Sequence, residues 1–219
     1  MFPISDTHIG KRKFPIINIA IIAATIFVFI QQITSLDQNA LIYKYALIPS
    51  FIDFSNFSTL APFVTSIFLH GGFLHIVSNM WFLWVFGDNV ESRFGILLFP
   101  ILYLFSGIIG SIFQYIIMPS SNIPMLGASG AVAGVLGAYF ILSPHSKIKT
   151  LVPFLGFFTF VTLPASFMLG YWFVLQVLSG AVSLPFSDGT GGVAFWAHVG
   201  GFLTGVVFAK LFRPEDKLV

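Results

Sequence analysis

The sequence predicts an all-α polytopic membrane protein, a bundle of six transmembrane helices with both termini cytoplasmic. Three observations predict it. The 219 residues are 57% hydrophobic and only 8% charged, with a mean hydropathy of +0.94, whereas soluble domains carry about a quarter charged residues. A core of this size cannot hide so much apolar surface, so lipid must be the solvent. Apolar windows of about 20 residues recur along the chain. The basic residues, finally, fall on alternate loops.

The elements follow in order. The start, MFPISDTHIGKRKFP, is polar and predicts a short cytoplasmic tail over about 1–14. A first span at about 15–34 lacks a small-residue cleavage site and reads as a retained anchor. The connection 35–70 is aromatic but broken by Asp37, Lys44, Pro49, Asp53 and Pro62. Too polar to span and too apolar to be fully solvated, it reads as an interfacial, membrane-lying loop. Further spans are expected at about 71–87, 95–117, 127–143, 164–183 and 193–212. A straight helix from Lys149 to Pro185 would reach about 55 Å, well beyond a hydrocarbon core of about 30 Å. Pro153 and Pro164 interrupt it, and 150–163 is expected to be an interfacial or half-buried prelude to the fifth span. The whole chain, 1–219, reads as one membrane domain.

Charge then orients the bundle. With the N-terminus inside, Lys11, Arg12, Lys13, Arg93, Lys147, Lys149, Lys210, Arg213 and Lys217 all face the cytoplasm, and only Lys44 falls outside. A seventh span would export the basic tail. The net charge of +2 and the scattered basic residues argue against a nucleic-acid partner. The absence of cysteine excludes thiol catalysis, disulfides and thiolate metal sites.

This topology places the second, fourth and sixth spans parallel, with their N-terminal turns at the outer level. There the second carries His70, His75 and Asn79 in HGGFLHIVSNM, the fourth carries Ser129 in GASGA, and the sixth carries His198 in FWAHVGG. Polar groups inside a membrane are costly and mark functional sites by default. His75 and Asn79 lie one helical turn apart on one face. Ser129 becomes a nucleophile only if a base takes its proton, and His198 has the chemistry to do so. Helix-borne carboxylates are missing from this level: Asp88 and Glu91, with Arg93, mark an inner-surface charge cluster, and Asp188 sits in the outer loop before the last span. A Ser–His dyad is therefore the economical reading. Gly130-x-x-x-Gly134 and Gly201-x-x-x-Gly205 are small-residue faces that let membrane helices approach closely. Gly127 and Gly130 expose backbone N–H groups able to stabilise an oxyanion, with His75 and Asn79 as candidates to complete the hole. Gln114, near the outer end of the third span, reads as a partner for a neighbouring group. His8 and His145 receive no role.

These residues resemble the rhomboid family of intramembrane serine proteases over about Leu60 to Phe212. HGGFLHIVSNM is similar to the family's His-containing second helix, GASG to its nucleophile motif and AHVGGFLTG to its histidine helix. The resemblance implies a six-helix fold and hydrolysis of peptide bonds in single-span membrane substrates near the outer face. Ser129 would be the nucleophile and His198 the general base. His75, Asn79 and the Ser129 N–H would be oxyanion donors, and His70 would help hold water at the mouth of the site. No cofactor or metal is implied. The fifth span resembles the family's lateral gate, with Trp172 and Phe173 as its bulk. The expected location is a bacterial or archaeal plasma membrane. Two features depart from the family pattern. The first loop has no Trp-Arg pair, and Ala133 stands where some relatives place an aromatic ring against the histidine, leaving that support to Phe195 or Trp196. Two other readings stay open: a catalytically inactive rhomboid-like binder of membrane helices, and a transporter lined by His70, His75 and His198.

Overall fold

The computed structural model describes residues 2–7, 14–154, 156–184 and 192–212. Lys11, Arg12, Lys13, Asp188, Arg213, Lys217 and His8 lie outside them. Helix α1 (Ile16–Ile33) is mostly apolar, with Asn18, Thr25 and Gln32 buried, and stops at Thr34. A short helix α2 (Gln38–Tyr45) is capped by Asp37, which accepts the Ala40 N–H. After the single turn α3 (Pro62–Thr65) comes the long α4 (Phe73–Ile117), and then α5 (Ser129–Leu142). Strands β2 (Lys147–Phe154) and β3 (Phe157–Pro164) precede α6 (Ala165–Ser183) and α7 (Phe195–Leu211). The connection 35–70 is thus built from short helical turns, and its Phe51, Phe54 and Phe57 remain exposed.

The second and third expected spans are the two arms of α4. They meet at Gly95, whose φ of 75° lies in the left-handed region. That conformation costs a side-chain-bearing residue energy and costs glycine almost none. Glu91, expected in a surface charge cluster, is buried and accepts the Ile17 and Asn18 N–H groups at 3.0 and 2.7 Å. It therefore caps the N-terminus of α1, where a carboxylate meets free N–H groups and the positive end of the helix dipole.

The expectation of an all-helical chain needs correction. A strand β1 (Phe2–Asp6) pairs antiparallel with β2, and β2 pairs with β3, giving a three-stranded sheet in the order β1-β2-β3. The expected prelude to the fifth span is instead the hairpin of β2 and β3, with Gly156 at φ 84°. Val152, Thr159, Val161 and Thr162 favour strands, and Pro153 removes a helical donor. Phe157, Phe158 and Phe160 stand exposed on β3. The first residues are docked on the bundle: Trp81 Nε1 donates to the Pro3 carbonyl at 2.6 Å, and Asp6 accepts from Tyr139 Oη at 2.6 Å and from Asn89.

Helix α5 is central. Every residue from Gly130 to Tyr139 is buried, against α4 on one side and α7 on the other. A Cβ on Gly201 would overlap the Gly130 carbonyl, one on Gly205 the Gly134 carbonyl, and one on Gly137 the Phe202 carbonyl. The two glycine faces therefore bring α5 and α7 into backbone contact. Helices α1, α4 and α6 are long and apolar enough to cross a membrane, while α5 and α7 are apolar but shorter.

Candidate active site

The site is assembled by the turn leading into α5. The connection 35–70 holds this turn through a two-way backbone bridge. Leu47 N donates to the Met125 carbonyl at 2.9 Å, and Met125 N to the Leu47 carbonyl at 2.7 Å. Gly127 follows with φ 130°, and a Cβ there would lie 2.7 Å from the His75 ring. Only glycine lets the imidazole lie over this turn. The Gly127 N–H itself donates to the Ser66 carbonyl at 2.9 Å. It is not the free oxyanion donor expected; what Gly127 contributes is room.

Ser129 is the first residue of α5 and half-buried. The opening N–H groups of the helix, at Ser129 and Gly130, have no carbonyl four residues back within the helix to accept them. His75 Nδ1 accepts the Gly71 N–H at 3.2 Å, so its Nε2 carries the proton and can donate. Asn79, one turn later on the same face of α4, is buried, and its Nδ2 has no hydrogen-bond partner. Such a buried amide donor is expensive unless something else occupies it. His75, Asn79, Gly127, Ser129 and His198 all line one cavity of about 600 Å³.

His70 departs from its expected place at the mouth. It is fully buried, and its Nε2 accepts the Ala128 N–H at 3.5 Å. Its backbone is clamped by Gln32 of α1, which donates to the His70 carbonyl at 2.6 Å and accepts the His70 N–H at 3.0 Å. Its ring meets His75 edge-on at 5.1 Å. His70 thus braces the serine turn from behind, because a neutral imidazole there satisfies a backbone donor that would otherwise be buried alone.

His198 comes from the first turn of α7 and is 8% exposed. Gln114 of α4 fixes the start of that helix, its Oε1 accepting the Trp196 and Ala197 N–H groups at 3.1 and 3.3 Å. The His198 Nδ1 lies 2.7 Å from Gln176 Oε1 on α6. Trp172 covers the ring at 5.8 Å, tilted by 31°, and Phe195 meets it edge-on at 6.4 Å. Of the two residues expected to support the imidazole, Phe195 reaches it, whereas Trp196 packs on Phe113 and Gly180. Trp172, expected as gate bulk, touches the histidine; Phe173 stacks on Phe202 at 4.7 Å. Gln176 was not singled out from the sequence. The only signal for it was a lone amide in an apolar helix, one turn after Trp172.

Comparison with known proteins completes this picture. The model of the rhomboid domain matches residues 58–215. The chain belongs to the rhomboid family. Among curated rhomboids, it is 30% identical over 155 residues to RHOMBOID-like protein 6, mitochondrial, of Arabidopsis thaliana, covering 70% of the chain and 44% of that protein. It is 34% identical over 151 residues to Rhomboid protein 1, mitochondrial, of Saccharomyces cerevisiae, covering 66% and 40%. It is also 30% identical over 162 residues to Inactive RHOMBOID-like protein 8 of Arabidopsis thaliana, covering 69% and 38%. The rhomboid described here therefore spans less than half the length of these relatives. It is a membrane protein, and relatives from plants and yeast give the expectation of a bacterial or archaeal membrane no support.

Proposed function

We propose that the chain is an intramembrane serine endopeptidase that cuts single-span membrane substrates near the outer face, with Ser129 and His198 as its catalytic dyad. One observation carries this reading. A serine from α5 and a histidine from α7 open onto one cavity in which a buried amide donor, Asn79 Nδ2, stands without a partner. A hydroxyl, a base and vacant donors sharing one water-accessible space are the components of acyl transfer.

The chemistry follows from the atoms. Ser129 Oγ attacks the scissile carbonyl carbon while His198 Nε2 takes its proton. The carbonyl oxygen becomes an oxyanion within reach of Asn79 Nδ2, His75 Nε2–H and the Ser129 N–H. Collapse breaks the C–N bond, and His198 returns the proton to the leaving amine. Water, activated by the same imidazole, then hydrolyses the acyl-serine. No cofactor takes part in these steps.

The bundle would cross the membrane six times, through α1, both arms of α4, α5, α6 and α7, with both termini cytoplasmic. Helix α5 has 14 residues, about 21 Å of rise against a hydrocarbon core of about 30 Å. Its serine end then lies beneath the outer lipid surface, and the cavity supplies water there.

The test is an activity-based phosphonate probe together with a model transmembrane substrate. Labelling at Ser129 that vanishes in His198→Ala, with loss of cleavage in both Ser129→Ala and His198→Ala, is expected. One relative is named inactive; a folded chain that binds membrane helices but never labels at Ser129 would make this rhomboid a binder instead.

A further inference from the structure

A general base needs one ring nitrogen protonated and held, so that the other presents its lone pair to the nucleophile. In acid-containing triads a carboxylate does the holding. Among the described residues the carboxylates of the neighbouring elements are engaged elsewhere: Glu91 with the N-terminus of α1, Asp6 with Tyr139 and Asn89, and Asp88 with the Asn89 N–H. One ring nitrogen of His198 meets an amide. Gln176 Oε1 lies 2.7 Å from Nδ1. Its Nε2 donates to the Trp172 carbonyl, four residues back on α6, at 3.4 Å. That second bond turns the amide nitrogen toward its own helix and leaves the oxygen toward the ring. With an acceptor at Nδ1, the proton sits on Nδ1 and Nε2 is bare.

We propose that Gln176 is the positioning residue for the His198 imidazole, supplying from α6 the acceptor that a carboxylate supplies elsewhere, with Trp172 as the wall against which the ring lies. The inference rests on the protease reading of Ser129 and His198. It also accounts for Ala133. That position is fully buried and carries no ring, and the aromatic cover comes from α6 instead, at 5.8 Å. Both supports belong to one helix. The base is therefore oriented only while α6 lies against α7, and moving α6 aside would free the imidazole to rotate and exchange tautomers.

The experiment uses the full chain in detergent or proteoliposomes and compares wild type, Gln176→Leu and Gln176→Glu. It reads kcat and KM on a transmembrane substrate and the rate of phosphonate labelling at Ser129. Gln176→Leu keeps the volume but loses the acceptor; kcat and labelling rate should both fall about 10-fold or more, with KM little changed, since removing general-base assistance costs about 10²–10⁴. Gln176→Glu keeps an oxygen at the same reach and should recover most of the labelling rate. Full labelling and kcat in Gln176→Leu would overturn the inference. So would equal impairment of folded Leu and Glu variants, which would make the site a matter of packing alone. If Gln176→Leu does not fold, Gln176→Glu decides: near wild-type labelling supports the role and loss of labelling removes it. A wild-type chain that never labels at Ser129 overturns the protease reading itself, which is a distinct result.

Discussion

Asn79 Nδ2 is buried without a partner beside the serine turn, while the turn itself is held by bonds that leave no slack. A lone unsatisfied donor costs about 1–3 kcal/mol, a penalty tolerable where a reacting oxygen will later use it. Asn79→Ala is accordingly expected to lower kcat by about 100-fold or less, because His75 and the Ser129 N–H remain; kinetics on the substrate used for wild type check it, and an unchanged kcat would remove Asn79 from the hole. Gly127 makes a sharper prediction. Gly127→Ala combines φ 130° with a Cβ 2.7 Å from the His75 ring. Phosphonate labelling of Ser129 should be lost even though the substituted residue carries no reacting group. The Gly127 assignment also shows where motif reading stops. A glycine beside a nucleophile suggests a free N–H, yet this N–H is consumed by Ser66, and only coordinates show that the glycine is needed for space.

At the scale of elements, the site depends on how closely α5 and α7 approach. Their contact is backbone on backbone, at Gly130 against Gly201 and Gly134 against Gly205. Gly205→Leu lies about two helical turns from His198 and touches no site group, but its side chain has nowhere to go. Overpacking of this kind costs about 1–3 kcal/mol, and prying the helices apart should reduce Ser129 labelling together with thermal stability in detergent. Retention of both would mean that the approach is not set by these glycines. Gln114 acts at the same scale. It satisfies two N–H groups at the start of α7, so Gln114→Leu should lower thermal stability while a residual, slower labelling persists. The glycine periodicity was legible because backbone approach requires small residues at fixed spacing, whatever the rest of the fold. The cap was legible only as a polar residue near a helix end, because its partners lie some 80 positions away.

For the whole molecule, the topology and the docked N-terminal strand can each be read by single substitutions. The chain has no cysteine, so single cysteines at Ser121 and His145 are clean reporters. A membrane-impermeant thiol reagent should reach position 121 from the outer side and position 145 from the cytoplasmic side; labelling of both from one side would end the six-span orientation. Asp6 binds Tyr139 and Asn89, joining β1 to the bundle. Asp6→Ala leaves buried partners unsatisfied and should destabilise the fold by about 1–3 kcal/mol, read as a lower melting temperature. By itself the sequence determined that the chain is apolar enough to need lipid and where most of its helices run, and it placed a serine, three histidines and an asparagine at one expected level. Those conclusions depend on composition and on periods of a few residues, which a linear chain displays directly. Tertiary structure decided which nitrogen of His198 is held and by what, that His70 faces inward, that the Gly127 N–H is spent, and that the first residues complete a sheet with a hairpin almost 150 positions away. Each of these depends on contacts between segments distant in sequence. A helix carries no local record of which neighbour will face it.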